Sequence, residues 1–213
     1  MSTAYGFLLD VPVGWDEFDL SGEELAHARA SAPATTDDPR EKARIDDMVR
    51  QGREVTAAAR RHGALLATGT ATLYDDGLFM AYGMVFAVTT PQGSEPAPPV
   101  LSARLGVSSA TGVAPKDRVI TSVRVPRVGC VARVTGTEVT RVTAGVDVEL
   151  LTMHTMMPVP GTTEHFLVVT LASPNLPLKN AVYDLFDAIT GTFRFVSAEG
   201  SPAAAGGDGQ ADD

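Results

Sequence analysis

Two histidines and three methionines lie in one stretch of the chain, and both residue types bind soft metal ions. The set is His154, His165, Met153, Met156 and Met157, with a PVPG turn between the histidines. If that turn joins two paired strands, imidazole and thioether groups become neighbours and resemble a ligand set for a soft metal ion. The alternative is that the methionines fill gaps in a core and the histidines lie at strand ends. We favour the alternative, and we predict no metal site and no cofactor.

Paired carboxylates are the second arrangement that could do chemistry, because two acids with different pKa values can act as acid and base. Asp147 and Glu149 share one face of a predicted strand, and Asp75 and Asp76 lie in a predicted turn. Apolar residues alternate with the first pair, which predicts a solvated face, and the second pair is typical of turns. Catalysis would require burial, and the sequence does not indicate burial at either pair. We therefore predict no catalytic residue.

Charge is distributed unevenly along the chain. Residues 104–142 contain seven basic and two acidic residues, a local charge of +5 in a chain of −9, so the remaining residues carry −14. Residues 10–24 contain six acids and no base. The two segments therefore have opposite electrostatic character.

Arginines spaced along neighbouring strands could form a cationic face. We predict that this face binds an acidic partner protein. Its predicted binding residues are Arg104, Arg124, Arg133 and Arg141. The alternative is that the arginines pair with the acidic N-terminal segment or keep the sheet soluble, since surface ion pairs are common and weak.

Size and composition favour a globular protein. The chain has 213 residues, of which 44% are hydrophobic, enough for a sizeable core. A net charge of −9 repels nucleic acid and anionic membranes, which we exclude as partners. The single cysteine, Cys130, excludes an intrachain disulfide, and its strand-like context predicts a small buried residue. A leader sequence and a long apolar run are absent, so we expect a cytoplasmic location without membrane insertion.

Helical spacing predicts three helices. The strongest signals lie at 39–62, where Asp38 is placed to cap the start and Gly63 can adopt the left-handed conformation that ends a helix. A shorter helix is predicted at 22–30. An amphipathic helix is predicted at 178–195, where apolar residues recur at helical spacing.

Alternating patterns predict the strands. Residues 64–74 and 78–90 flank an Asp-Gly dipeptide, which is favoured in two-residue hairpin turns. A short strand lies near the start of the chain and ends in a Pro-Gly turn. Further strands are predicted at 100–108, 118–125, 128–142 with a break near Gly136, 146–157 and 163–172. Both faces of the last strand are apolar, which predicts a central position in the sheet.

The order of elements predicts an α+β fold. An antiparallel β-sheet meander is expected to be flanked by a long helix from the N-terminal half and an amphipathic helix at the C-terminus. The first strand and the last helix need a common core, so residues 1–196 are predicted to form a single domain. Residues 197–213 form an acidic Gly- and Ala-rich tail with too little apolar surface to offset the entropy of ordering, and we predict disorder.

Three segments resemble PsbP-like domains. FLLDVPVGW at 7–15 is similar to their opening strand with its Pro-x-Gly-Trp turn, and LFDAITGTFRF at 185–195 is similar to their closing helix and final Phe-Arg-Phe. PVPG followed by HFLVVTLASPN resembles their turn and last long strand. Actinobacterial lipoproteins of the LpqN type share that fold. The resemblance implies a sandwich around an antiparallel sheet that usually serves as a binding or assembly factor without catalysis, and it carries over no functional residue.

Function is constrained mainly by what the sequence lacks. The chain contains no phosphate loop, nucleophile elbow or zinc-binding motif. Its Ala-, Gly- and Val-rich composition is typical of high-GC actinobacteria, where such proteins sometimes accompany specialised secretion loci. We predict a non-enzymatic cytoplasmic interaction or assembly factor, associated with a specialised secretion system, that binds another protein or forms a homodimer. The alternative is a small-molecule-binding protein or hydrolase whose pocket, between sheet and helices, uses His154, His165 and Asp147.

Overall fold

Nine β-strands dominate the part of the chain that the computed structural model describes, which comprises residues 5–21, 23, 40, 57, 59–75, 77–90, 116–143 and 146–197. The strands are β1 (Tyr5–Leu8), β2 (Asp16–Glu17), β3 (Ala64–Tyr74), β4 (Gly77–Thr89), β5 (Lys116–Val125), β6 (Gly129–Thr143), β7 (Val146–Pro158), β8 (His165–Ser173) and β9 (Arg194–Ser197). A 3-10 turn (Leu176–Leu178) leads into the helix α1 (Lys179–Gly191).

The strands form two antiparallel sheets. Seven strands pair in the order β2-β3-β4-β8-β7-β6-β5, and β1 pairs with β9 in a two-stranded sheet. Most neighbours in the large sheet are consecutive in the chain, but β4 lies beside β8, so the chain crosses to the far edge before returning strand by strand. β8 lies in the middle of this sheet and residues 166–173 are buried, which confirms its predicted central position.

The main core lies between the seven-stranded sheet and α1. The helix buries Val182, Phe186 and Ile189, which are spaced four and three residues apart and therefore line one side of a helix. Sheet residues in this core include Val85, Leu151, Met157, Val169 and Leu171. A smaller cluster, formed by Met156, Phe166 and Val168, lies on the opposite face of the sheet, since strand neighbours alternate in direction.

The two-stranded sheet brings the first and last described strands together. Its register runs from Tyr5 opposite Ser197 to Leu8 opposite Arg194. Phe7 stacks on Phe193 with ring centroids 5.8 Å apart, and Phe193 meets Phe195 edge to face at 5.1 Å. These rings pack against the main core, so both segments contribute to the same apolar interior.

The predicted fold class is wrong. The described residues are mainly β, in two antiparallel sheets, rather than one sheet flanked by a long helix from the N-terminal half and a helix at the C-terminus. The C-terminal helix ends at Gly191 instead of reaching Phe195, because residues 194–197 form β9 and pair with β1. Apolar residues at 193 and 195 fit a strand as well as a helix, so periodicity alone placed this boundary too late.

Several local predictions can be compared with the described residues. Residues 59–61 are helical and Gly63 has φ +82°, which confirms the predicted glycine cap. The remainder of the predicted 39–62 helix lies outside the described residues, except for positions 40 and 57. The predicted 100–108 strand also lies outside them, and so do nearly all of the predicted 22–30 helix and the 197–213 tail. β6 runs continuously through Gly136 and keeps its register with β7 there, so the predicted break is wrong; the irregularity opposite Gly136 belongs to β5. The boundaries of the single domain stay a prediction.

Candidate functional site

The four arginines predicted to bind a partner differ in their surroundings. Arg124 is exposed on β5. Arg133 is buried, forms an ion pair with Asp187 of α1, and donates from Nε to the Thr155 hydroxyl at 3.2 Å. Arg104 and the side chain of Arg141 lie outside the described residues. A common cationic face stays a prediction, and the guanidinium of Arg133 is already engaged within the fold.

β5 is an edge strand of the seven-stranded sheet. Within the described ranges no strand pairs with its outer side, and residues 117–122 are all exposed. Val119 and Ile120 retain 52% and 43% of their accessible surface. Such an edge offers N–H and C=O groups to another extended chain. The strand therefore combines an open backbone edge with exposed aliphatic side chains.

One side of β5 presents aliphatic, polar and cationic side chains. Side chains at every second position of a regular strand share a face of the sheet. Three exposed residues, Ile120, Ser122 and Arg124, form this row, and the exposed Arg118 precedes it. The strand begins irregularly, with a register shift between Lys116 and Val119, so its regular edge extends from Val119 to Val125.

Three neighbouring strands of the same sheet carry a buried polar network. His154 on β7 lies opposite Thr170 on β8, and the two are joined by a contact of 3.0 Å between Nδ1 and Oγ1. The other ring nitrogen, Nε2, lies 3.2 Å from Oε1 of Glu138 on β6. Gly136 and Thr152 occupy the intervening rung, so Glu138 and His154 lie diagonally across the β6–β7 pair. The network therefore depends on the register of two hairpins.

The Glu138 carboxylate and the Thr170 hydroxyl decide which atoms donate hydrogen bonds in this network. An ionised carboxylate can only accept, so Nε2 of His154 carries a proton and donates it to Glu138. Nδ1 and the Thr170 hydroxyl share the second hydrogen bond, in which the hydroxyl donates to a neutral ring and accepts from a charged one. Thr170 retains only 7% of its accessible surface. The arrangement links three strands of the sheet through buried side-chain contacts.

Electrostatics around the network shift two pKa values. Burial would raise the pKa of Glu138, but hydrogen bonding and charge from His154, together with smaller contributions from Thr152 and Arg118, hold this pKa below its ordinary value. Burial, and secondarily the charge of Glu138, raise the pKa of Tyr82 on β4 to about 12. Tyr82 therefore stays neutral near physiological pH, while Glu138 stays ionised.

The predicted soft-metal ligands are not brought together. His154 pairs with Thr170, whereas His165 lies at the other end of β8 and contacts the Thr89 hydroxyl at 3.1 Å. Met153 and Met157 pack in the main core, whereas Met156 packs in the smaller cluster on the opposite face. Among the residues that the structure describes, no three His, Cys, Asp or Glu side chains are placed to hold a metal ion.

The remaining sequence candidates are also dispersed. Asp147 and Glu149 are both exposed, which confirms the solvated face predicted for them. Cys130 is exposed, whereas its sequence context predicts a buried residue. The difference arises because Cys130 lies opposite Arg124 on the edge hairpin β5–β6, where the sheet is open to solvent.

An acidic groove lies at the opposite edge of the seven-stranded sheet, beside β2. This open groove has a volume of about 630 Å³ and is formed by residues 17–21, Glu23 and the start of β3. Its lining includes Glu17, Phe18, Glu23 and Leu65. All four are exposed, so the groove presents both carboxylates and apolar side chains.

Sequence reasoning missed the Glu138–His154–Thr170 network and the groove. Glu138 and His154 lie on strands that were predicted, but their contact depends on the register of the hairpin. A shift of one residue would turn one of the two side chains to the opposite face of the sheet. A detectable signal exists for Arg133, because apolar residues precede and follow it on both faces of β6, and an arginine in such a run indicates an internal ion pair.

Comparison with known proteins gives a structural likeness only. No family model matches the chain. No curated protein matches its sequence. A solved structure, described as LpqN involved in cell envelope biogenesis of Mycobacterium tuberculosis, superposes with a TM-score of 0.44 and 7% sequence identity. The superposition covers 91% of this chain and 84% of that protein. The likeness is a weak relation of fold, and no functional residue is carried over from it.

No described helix has both the length and the apolar character needed to span a membrane. The cytoplasmic location stays a prediction.

Proposed function

We propose that this chain is a non-enzymatic protein-binding factor, and that β5 is its binding strand. An extended acidic segment of another protein adds alongside β5 and continues the sheet. One observation carries the proposal: β5 has no partner on its outer side among the described strands, and it also carries two exposed aliphatic side chains and two exposed arginines.

Each feature of β5 contributes a different part of the binding energy. Main-chain hydrogen bonds align the added segment, and the arginines select an acidic one and speed its association. Val119 and Ile120 are about half exposed, and covering both contributes about 2 kcal/mol. Charged side chains and bulges also protect edges from pairing, and β5 has both. Adjacent exposed aliphatic residues serve no protective purpose, which favours binding.

A synthetic peptide tests the proposal directly. The probe alternates Glu with Val, and a second peptide that alternates Lys with Val has the same length and strand propensity. We expect the acidic peptide to bind the full chain in fluorescence anisotropy, and the basic peptide to bind at least about tenfold more weakly. Equal binding of both peptides, or binding of neither, contradicts the proposal.

Matched variants test whether the peptide binds at β5. Arg124→Glu is expected to abolish preference for the acidic peptide, whereas Lys179→Glu reverses an exposed cation on α1 and is expected to leave binding unchanged. Thr121→Pro and Ser122→Pro form a second pair, because adjacent amides of an edge strand point in opposite directions. The variant whose lost amide faces outward should fold normally and fail to bind. Full binding by that folded variant would exclude strand addition.

The alternative functions predicted from the sequence stay predictions. The hydrogen bond between His154 and Glu138 is the observation in favour of a ligand-binding or hydrolytic pocket, and the burial of Thr170 is against hydrolysis. Association with a specialised secretion system rests on composition and resemblance alone.

A further inference from the structure

We propose that the acidic groove of one molecule receives β5 of a second copy of this chain, so that copies associate head to tail. The inference rests on the proposed function, since β5 is the same binding strand, and it adds the identity of the occupant. The two edges of the seven-stranded sheet have complementary charge, and both expose apolar side chains.

The groove offers both carboxylates and apolar side chains. Glu17, Glu23, Phe18 and Leu65 all line it and are exposed. Asp19 is held by its own contact, in which the Ser21 amide donates to Oδ1 at 2.7 Å, and it orders the segment rather than supplying a binding charge. The groove therefore suits a ligand that is both cationic and aliphatic.

β5 carries both of those properties. Arg124 and Ile120 share one side of the strand, Val119 lies on the other, and Arg118 precedes them in the irregular start of the strand. Ile120 would cover the apolar part of the groove, and the guanidinium groups would face its carboxylates. The contact removes exposed apolar surface from both molecules. It also brings the arginines of β5 close to the glutamates of the groove.

The groove of a molecule cannot contact β5 of the same molecule, because the two lie at opposite edges of the sheet. β2 and β5 are the outermost strands of a seven-stranded sheet, and six inter-strand spacings separate them by about 29 Å. After two molecules associate, the pair therefore keeps one groove and one β5 that are not in contact. An interface between different surfaces that does not close into a ring produces open chains of molecules.

Charge reversal of each edge tests the inference in the full-length chain. Sedimentation velocity should show an average mass that rises with protein concentration and falls with added salt. Glu17→Lys/Glu23→Lys, and separately Arg118→Glu/Arg124→Glu, should each weaken association about a hundredfold, because each opposes like charges. An equimolar mixture of the two variants should associate again, because each reversed edge meets a complementary one.

Three results would overturn head-to-tail association. They are a wild-type chain that stays monomeric at millimolar concentration, association that survives reversal of the groove, and a mixture that fails to associate. Where a double variant does not fold, the single pair Glu23→Lys and Arg124→Glu replaces it. Binding of the acidic probe peptide in the absence of self-association would refute this inference while leaving the proposed function intact. Failure of both would refute the role of β5 altogether.

Discussion

Replacement of His154 should remove a large part of the stability of the central sheet. His154→Leu replaces the imidazole with an aliphatic side chain of moderate size and removes both ring nitrogens. Glu138 and Thr170 therefore lose their contacts with His154. An unpaired buried polar group costs about 1–3 kcal/mol, and a charged one costs more. The Glu138 side chain keeps 15% of its surface and retains some hydration. The two groups together predict a loss of about 3 kcal/mol.

Urea unfolding followed by circular dichroism measures this loss. With a slope of about 2 kcal/mol per molar urea, the midpoint should fall by about 1.5 M. His165→Leu is the matched control, because His165 belongs to the same hairpin but is exposed, with one contact to Thr89. Its midpoint should change by less than about 0.25 M, equivalent to about 0.5 kcal/mol.

The outcome of a double variant separates pairing from packing. Glu138→Leu/His154→Leu leaves no buried carboxylate without a partner, so its loss should be smaller than the sum of the two single losses. Strict additivity, or equal losses for the two histidine variants, would show that the network contributes nothing beyond the volume of its side chains.

Three further predictions concern the core and the charges near it. Phe186→Ala removes a fully buried ring and should lower the free energy of unfolding by about 3–5 kcal/mol in thermal or urea melts. Asp187→Ala should cost more than Arg133→Met, since the first leaves the buried guanidinium without its carboxylate and the second leaves an exposed carboxylate in water; equal losses would contradict this. The folded-state pKa of Glu138 lies below its ordinary value of 4.5, so its stabilisation is complete above that pH and is lost as pH falls through the folded-state pKa. Unfolding of Glu138→Gln in acid should therefore depend less steeply on pH, and identical pH profiles would count against an ionised Glu138.

The strands were predictable because their patterns are local. Alternation located the β3–β4 hairpin within a residue of its observed bounds, and the glycine after residues 59–61 was placed correctly as a cap. The balance of helix and strand was not predictable from those patterns. Phe193 and Phe195 satisfy helical spacing, but they fit β9 once β1 is available as a partner, and that partner lies far away in sequence.

The candidate site depended on facts that no local pattern contains. β5 was predicted as a strand, but its edge position follows from the crossover of the chain between β4 and β5. Arg124 and Arg133 look equivalent in the sequence, yet one is exposed and the other is buried against α1. The alternation of side chains along β5 and β6 shows which residues share a face, but it does not show which face the helix covers. The exposure of each arginine therefore depends on the tertiary structure.

The pairing of β1 with β9 has a mechanical consequence. Tyr5 and Ser197 lie opposite each other, so a force applied at these two residues loads the rungs of the small sheet one after another instead of all at once. Sequential loading makes this the weak point of the molecule under tension, and the strands should peel apart at low force while the seven-stranded sheet stays intact. Single-molecule pulling through these residues would therefore show an early small extension before the main rupture.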